Sequence, residues 1–428
     1  MNIDFLYSKF LEINKVSTDT RKSVKGSIFF CLKGPNYNGN NFAHEALKKG
    51  AEIIVIDEKQ KTNEPQFILV ENSLKALQNL AIKHRETLKI PVIAITGTNG
   101  KTSTKNLIHD VLNEKFKVMK TIGNFNNHIG LPLSILSINK NYKCAVLEFG
   151  ASKIGDITEL CEIGKPNYGL ITNIGKAHLE EFKNVDNIIK TKTELWEYLI
   201  KKNGVIFVNN EDKTLIKAIS KKKLFSKYNK FENYGPKKND VKINSISPFL
   251  ELNWESKLIK TKIVGDYNLI NIIASIAVGQ FFKVNKKNII KILENNSFNN
   301  NRSQLIKTDL NEIILDAYNA NPSSMEFSIN SFIKIKSTMK KTLILGDMLE
   351  LGEGSKNLHL ELINFLKKNK IKNCILVGSI FYQIDCDFLK FRNKKYLEEY
   401  LKNNIVKKNI ILIKGSRKMK LETLKELL

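Results

Sequence analysis

The strongest constraint on this chain is a repeated alternation of short apolar runs with stretches that carry a helical apolar stripe. In the middle of the sequence the runs are IPVIAIT (90–96), CAVLEFGA (144–151), YGLITNIG (168–175) and GVIFVNN (204–210). The first is followed by KTSTKNLIHDVLNEKF, with Leu107, Ile108, Val111, Leu112 and Phe116 at helical spacing. Strands that alternate with helices are joined by crossovers, so they pair in parallel and bury both faces. Crossovers also bring the carboxyl ends of the strands to one edge of the sheet, where ligands bind.

The expected fold class is α/β in three domains, within the two to four that about 430 residues allow. Residues 1–85 hold strand-like SIFFCL, AEIIVID and QFILVE around a helical stretch at 41–49, a small N-terminal α/β domain. Residues 86–298 form a central P-loop-type domain with a mostly parallel sheet. Residues 299–428 repeat the alternation in NEIILDAY, KTLILGDM, NCILVGSI and NIILIKGS, a smaller Rossmann-like domain. The Asn-rich ENNSFNNNRS (294–303) between the last two reads as a hinge.

The chemistry centres on AITGTNGKTSTKNL (94–107). A phosphate-binding loop usually reads G-x-x-x-x-G-K-[ST]. Here Ile95 stands where its first glycine belongs, yet Gly97-Thr98-Asn99-Gly100-Lys101-Thr102-Ser103 keeps the working parts. A strand ends at Thr96, backbone N–H groups and a helix N-terminus face the anion, and Lys101 adds a point charge. The Thr102 hydroxyl can ligate Mg²⁺.

Three more residues lie after or near strand ends of the same sheet, the last of them on a helix. They are Glu148 in EFGASKIGDI, His178 in ITNIGKAHLEEF and Lys192 in KTKTELW. Singly, each is as compatible with an exposed strand end, a structural histidine or one lysine among many; their shared position is the signal. GNFNNHIGLP (123–132) crowds Asn124, Asn126, Asn127 and His128 into a turn suited to a polar substrate, or simply to the surface of an Asn-rich chain. LDAYNANPSSM (315–325) sets Asp316, Tyr318, Asn319 and Asn321 in a polar loop after a strand.

The net charge of +26 raises nucleic acid as a partner, but only five of 69 basic residues are arginine. Base readout favours Arg, and an excess of Lys beside abundant Asn and Ile reads as AT-rich coding bias. Where Lys is the default cation, a surviving Arg marks a need for a planar guanidinium. Arg21, Arg302 and Arg417 lie in STDTR, NNNRSQ and KGSRKM, stretches that look functional on other grounds. The five cysteines are scattered, which suits buried thiols in a reducing compartment rather than a disulfide framework. No apolar run approaches the ~20 residues of a membrane span. The start MNIDFLYSKFLEINK lacks the form of a secretory signal. The expected location is the cytoplasm.

GTNGKT without the leading glycine resembles the loop of the Mur ligase family and of the related folylpolyglutamate synthases. The likeness runs along the chain: STDTRKSVKGSIFFCLKGPNYNGNNFAHEALKKGA, GNFNNHIGLP, EFGA, NIGKAHLEEF, KTELW and GDYNLINIIASIA occur in the family's order. DAYNANPSSM, GDMLELGE and KGSRKM resemble the member that adds a dipeptide. The pattern departs at Thr20, Thr193, Asp266 and Asn301, where Ser, Gly, His or Arg, and Gly are usual.

The resemblance implies an ATP-driven amide ligase of peptidoglycan and cell-wall synthesis, acting through an acyl phosphate. Its partners would be UDP-N-acetylmuramoyl-tripeptide and D-alanyl-D-alanine, with no nucleic acid, no membrane insertion and a monomeric state. Lys101, Glu148, His178 and Lys192 would be catalytic, and Thr102, Glu148, His178 and Lys192 (as a carbamate) would place Mg²⁺. Gly97 to Ser103, Asn268, Arg302, Asp316, Tyr318 and Asn319 would bind ATP. Thr20 and Arg21 of the uridine-nucleotide domain, with Asn126, Asn127 and Asn321, would contact substrate. The C-terminal domain would close over ATP and receive the dipeptide. Two rival readings remain here: another amino-acid ligase or folylpolyglutamate synthase, and a nucleic-acid-stimulated P-loop NTPase.

Overall fold

In the computed structural model, which describes residues 3–60, 64–221, 225, 227–298 and 301–428, the alternation resolves into three main sheets. The central one has six strands, all parallel, in the order Phe231–Tyr234, Val205–Asn209, Tyr168–Ile171, Val92–Thr96, Cys144–Glu148, Val118–Lys120. The strand Val92–Thr96 lies where the chain changes direction, between two neighbours that come later in the sequence. Its carboxyl end is therefore a switch point, the place where such sheets open a ligand crevice.

Period-two alternation divides that strand between two cores. Val92 and Ala94 join one cluster, Ile93 and Ile95 the other, and all four are fully buried. On the second face the helix Lys101–Asn113 buries Leu107, Ile108, Val111 and Leu112 beside Ile272, Ile273 and Ile276 of the helix Leu269–Phe281. Phe116, expected on the same helical stripe, lies past the helix end and is only partly buried.

The first cluster crosses a domain boundary. It runs from Leu6, Phe10, Phe30, Leu77 and Leu80 to Leu131, Ile135 and Phe149 without a break. The N-terminal part has its own four-stranded parallel sheet, Val16–Ser17, Ile28–Phe30, Ile53–Ile56 and Phe67–Leu69. Arg85, on the helix Ser73–Thr87, reinforces this seam. Its buried guanidinium donates to the carbonyls of Gly164, Leu88 and Lys165 at 2.6–3.0 Å.

The C-terminal sheet orders its strands as Gln304–Lys307, Glu312–Leu315, Asn409–Lys414, Lys340–Gly346, Cys374–Val377, Leu389–Phe391. Only the first runs antiparallel to its neighbour.

One element departs from the expected central domain: an antiparallel sheet of Val241–Ile246, Phe249–Trp254 and Lys257–Val264. Leu250, Leu252 and Trp254 alternate inward with partly exposed neighbours, the mark of a sheet with one wet face. The Asn-rich hinge includes residues 299–300, which lie outside the described residues. Cys31, Cys144, Cys161 and Cys374 are buried and all five cysteines are free. Among the described residues no helix is long and apolar enough to cross a membrane.

Candidate active site

The loop after Val92–Thr96 turns on two left-handed glycines, Gly97 at φ +139° and Gly100 at φ +78°. Each is also pressed too closely for a side chain. A Cβ on Gly97 would come 2.1 Å from Thr172 Oγ1, and one on Gly100 would come 2.7 Å from Asn271 Oδ1. Neighbouring strands hold the loop open by polar contacts. Asn173 accepts from Asn99 N–H at 3.0 Å and donates to Asn99 O at 3.0 Å, while Thr98 Oγ1 takes Gly175 N–H at 3.0 Å.

From beneath, Thr104 Oγ1 donates to Asn271 Oδ1 at 3.0 Å, Asn271 Nδ2 to Asn268 Oδ1 at 2.8 Å, and Asn268 Nδ2 to Val264 O at 2.8 Å. Asn268 thus braces the loop helix. Lys101 curls back, giving protons to Gly97 O at 2.8 Å and Thr98 O at 3.0 Å. Burial, followed by the Arg302 charge, lowers its pKa, and Glu148 opposes them.

Glu148 is the hub beside this loop. It ends its strand 3% exposed, which removes the reading of an open strand end. One carboxylate oxygen accepts from Thr102 Oγ1 at 2.8 Å and the other from Asn126 Nδ2 at 2.9 Å. Lys105, one helical turn after Lys101, donates to Thr121 O and sits 3.8 Å from the same carboxylate. Asn127 spends its Oδ1 on the N–H groups of Ile129 and Gly130, shaping the turn that presents Asn126.

Lys101, Asn126, His178 and Lys192 line one cleft of about 310 Å³ together with Asp156 and Glu159. Lys192 is 3% exposed on the helix Val185–Lys201, with its ammonium 5.6 Å from the Phe182 ring centre. Burial first, then the Lys101 charge, brings its pKa down to about 7. His178 takes a left-handed turn at φ +50°, and its Nδ1 lies 3.0 Å from Glu350 of the C-terminal domain. Glu350 O accepts the N–H of Glu180 at 3.3 Å. His178 therefore borders the cleft but is held from outside it. Among the described residues, no group of three or more His, Cys, Asp or Glu could hold a metal ion.

A C-terminal wall meets the phosphate loop at Asn99, outside the lining of that cleft. Tyr318 carries Arg302 against its ring at 3.5 Å, and Arg417 5.0 Å from the ring centre. Asp316 accepts from Ser303 N–H at 3.2 Å, Ser328 Oγ at 3.0 Å and the buried Lys414 at 2.7 Å. Asn319 Oδ1 turns onto Ala320 N–H. Asn321, placed with the substrate contacts on sequence grounds, caps the helix Pro322–Lys334 and donates to Asn99 Oδ1 at 2.9 Å. It joins the two domains at the loop itself. Asp266 meets Lys334 at 2.7 Å.

Thr20 and Arg21 stand apart from this cluster, on the N-terminal domain. The Arg21 side chain is 88% exposed and paired with Asp19 at 2.8 Å. Thr20 O accepts from Lys49 at 2.8 Å, and Lys22 next to them lies over Phe125 at 5.6 Å, beside Asn126.

Comparison with known proteins matches this arrangement from end to end. Residues 12–98 correspond to the "Mur ligase family, catalytic domain", residues 95–279 to the "Mur ligase middle domain" and residues 301–417 to the "Mur ligase, glutamate ligase domain". The chain is 36% identical to the UDP-N-acetylmuramoyl-tripeptide–D-alanyl-D-alanine ligase of Bacillus subtilis, over 96% of this chain and 92% of that one. The chain belongs to the Mur ligase family.

A Mur ligase of the same description from Buchnera aphidicola is 34% identical over 98% of this chain and 94% of its own. The solved MurF ligase of Thermotoga maritima in complex with ADP superposes with a TM-score of 0.84 at 28% identity, covering 97% of each chain. Within this Mur ligase, sequence reasoning passed over Asn173, Lys105, Asn271 and Lys414, and gave Glu350 of GDMLELGE no role beyond capping and solvation. Lys105 had a signal, since it falls one helical turn from Lys101 and shares its face. The others are braces whose partners lie far off in the chain.

Proposed function

We propose that this Mur ligase joins D-alanyl-D-alanine to UDP-N-acetylmuramoyl-tripeptide at the expense of ATP, in the cytoplasm, as a step of peptidoglycan precursor synthesis. What supports the reading most is the end-to-end likeness to relatives of that description. The loops DAYNAN, GDMLELG and KGSR also lie together, at the carboxyl ends of three adjacent strands facing the phosphate loop.

The chemistry must bring two anions together. A carboxylate oxygen of the tripeptide attacks the γ-phosphorus and ADP leaves, giving an acyl phosphate. The dipeptide's amine, having shed a proton, attacks the acyl carbon, and phosphate departs from the tetrahedral intermediate. Positioning and charge neutralisation carry such a reaction. In this reading the N–H groups of residues 97–103 cradle the phosphates, and Lys101 moves from the loop carbonyls onto the anion. Arg302 and Tyr318 face the nucleotide from the other wall, where Asp316 and Asn319 shape the strand end and Asn268 braces the loop helix. Asn126, oriented by Asn127, faces the muramoyl-peptide, while Thr20 and Arg21 face its uridine end. Asn321 holds the closing domain against Asn99.

Thr102 Oγ1 and the Glu148 carboxylate, 2.8 Å apart, form a hard-oxygen pair that would hold Mg²⁺. When bound, Mg²⁺ supplies neutralising charge to the phosphates. His178 and a carbamate on Lys192 complete the family's pattern. Burial, then the Lys101 charge, lowers the Lys192 pKa to about 7, which favours the free amine that would add CO₂. That addition gives a carbamate and releases one proton.

Lys192→Ala is then expected to lose roughly 100-fold or more in turnover and to regain part of it with millimolar acetate or propionate. No rescue by any short carboxylate would return Lys192 to the role of a plain cation.

The assignment is tested by phosphate release from ATP and Mg²⁺ with the tripeptide nucleotide, with and without D-alanyl-D-alanine. Release that needs both supports the reading. Release driven by a single amino acid, by folate with glutamate, or by DNA would replace it.

A further inference from the structure

We propose that Arg417 sets specificity for the incoming dipeptide by binding its terminal carboxylate. This rests on the ligase reading above and deepens it. A dipeptide presented for amide formation has its amine at the reacting carbon. An extended pair of residues spans only about 7 Å, so its carboxylate must be met from the facing wall. Left unpaired in a closed site, that charge would oppose binding.

The wall offers one exposed guanidinium on a rigid base. Lys414 ends the strand Asn409–Lys414 and is locked on Asp316 at 2.7 Å. Gly415 is packed so closely that a Cβ would come 2.7 Å from Leu421. Ser416 donates its N–H to Asp347 O at 3.2 Å and accepts Leu349 N–H at 2.8 Å. Arg417 opens the next turn from this base, with Nη1 3.3 Å from the Tyr318 hydroxyl.

Among the described residues no Asp or Glu forms an ion pair with Arg417, whereas Arg21 has Asp19 and Arg85 has its carbonyls. In a chain with five arginines among 69 basic residues, a planar fork kept free of carboxylates matches a carboxylate ligand in two parallel hydrogen bonds. It lies between two loops of the C-terminal domain that reach the central one, the loop of Tyr318 and, through Ser416, the loop of Leu349. Arg302, which shares Tyr318 with it, acts electrostatically on Lys101 and Lys105. The flanking loops touch the central domain at Asn99 and His178.

The test is steady-state phosphate release by the full chain with D-alanyl-D-alanine and with its C-terminal amide, for wild type, Arg417→Ala and Arg417→Lys. Wild type is expected to prefer the free acid in kcat/KM by roughly 100-fold. Arg417→Ala should raise KM for the dipeptide roughly 10- to 100-fold and reduce the preference to a few-fold, with KM for ATP within about twofold. Arg417→Lys should recover part of the preference, and it stands in if the alanine variant does not fold. An undiminished preference in the folded variants, or a shift in KM for ATP instead, would overturn the proposal. Wild type that turns over neither dipeptide nor amide would instead overturn the ligase reading itself.

Discussion

Lys101→Ala is expected to lower ligation by at least about 1,000-fold while leaving the fold intact. Removing a single preorganised charge at a developing oxyanion or phosphoryl group costs about 100- to 100,000-fold in rate. This lysine opens the loop helix next to Glu148, in surroundings that already weaken its hold on a proton. Alanine is a good helix former, and only two bonds are lost, to Gly97 O and Thr98 O of the same loop. The melting temperature should therefore stay near that of wild type. Turnover within tenfold of wild type in the purified variant would remove Lys101 from the mechanism.

Glu148→Ala should act on both activity and stability. Its carboxylate orders Thr102 and Asn126 and offsets the charge of Lys105, all within one buried cluster. Alanine leaves that lysine without its anion and two donors without an acceptor. About 2–4 kcal/mol should be lost from unfolding in urea, together with at least about 1,000-fold in turnover. Glu148→Gln keeps the shape and one acceptor, so it should retain most of the stability and still fail in catalysis. A glutamine variant as active as wild type would reduce Glu148 to a structural role.

Much of the fold was readable because buried parallel strands leave a plain record. Each is an apolar run bounded by turn residues, and crossovers allow few arrangements. That logic brought Glu148 and the Gly97–Ser103 loop to one sheet edge from stretches some 45 residues apart, and the structure places them in hydrogen-bond contact. It failed at the antiparallel hairpins of residues 241–264. Their tightest turn uses Glu255 and Ser256, both with positive φ, in place of the Asn-Gly or Asp-Gly that announces such turns. The outer strand VKINSI carries little apolar signal because most of it faces water. The tie of Asn321 to Asn99, the tie between His178 and Glu350, and the bond from Thr104 to Asn271 were illegible for another reason. Each pairs polar groups across 167 to 222 positions, and no local pattern records a partner so distant. Arg21, by contrast, was legible as a type of residue but not as a partner of Asp19.

The apolar cluster that crosses from the N-terminal sheet into the central one has a consequence for how such a chain can be altered. Leu6, Phe10 and Leu77 share one interior with Leu131 and Ile135, so the front section cannot be transplanted without repacking the face it lies on. The rear section meets the loops beside the cleft through an amide pair at Asn99, a serine at Lys176 and a carboxylate–imidazole pair at His178. Contacts of that kind are replaced one side chain at a time. Change is therefore cheapest at the rear, whereas the front section is bound to its neighbour by a common core.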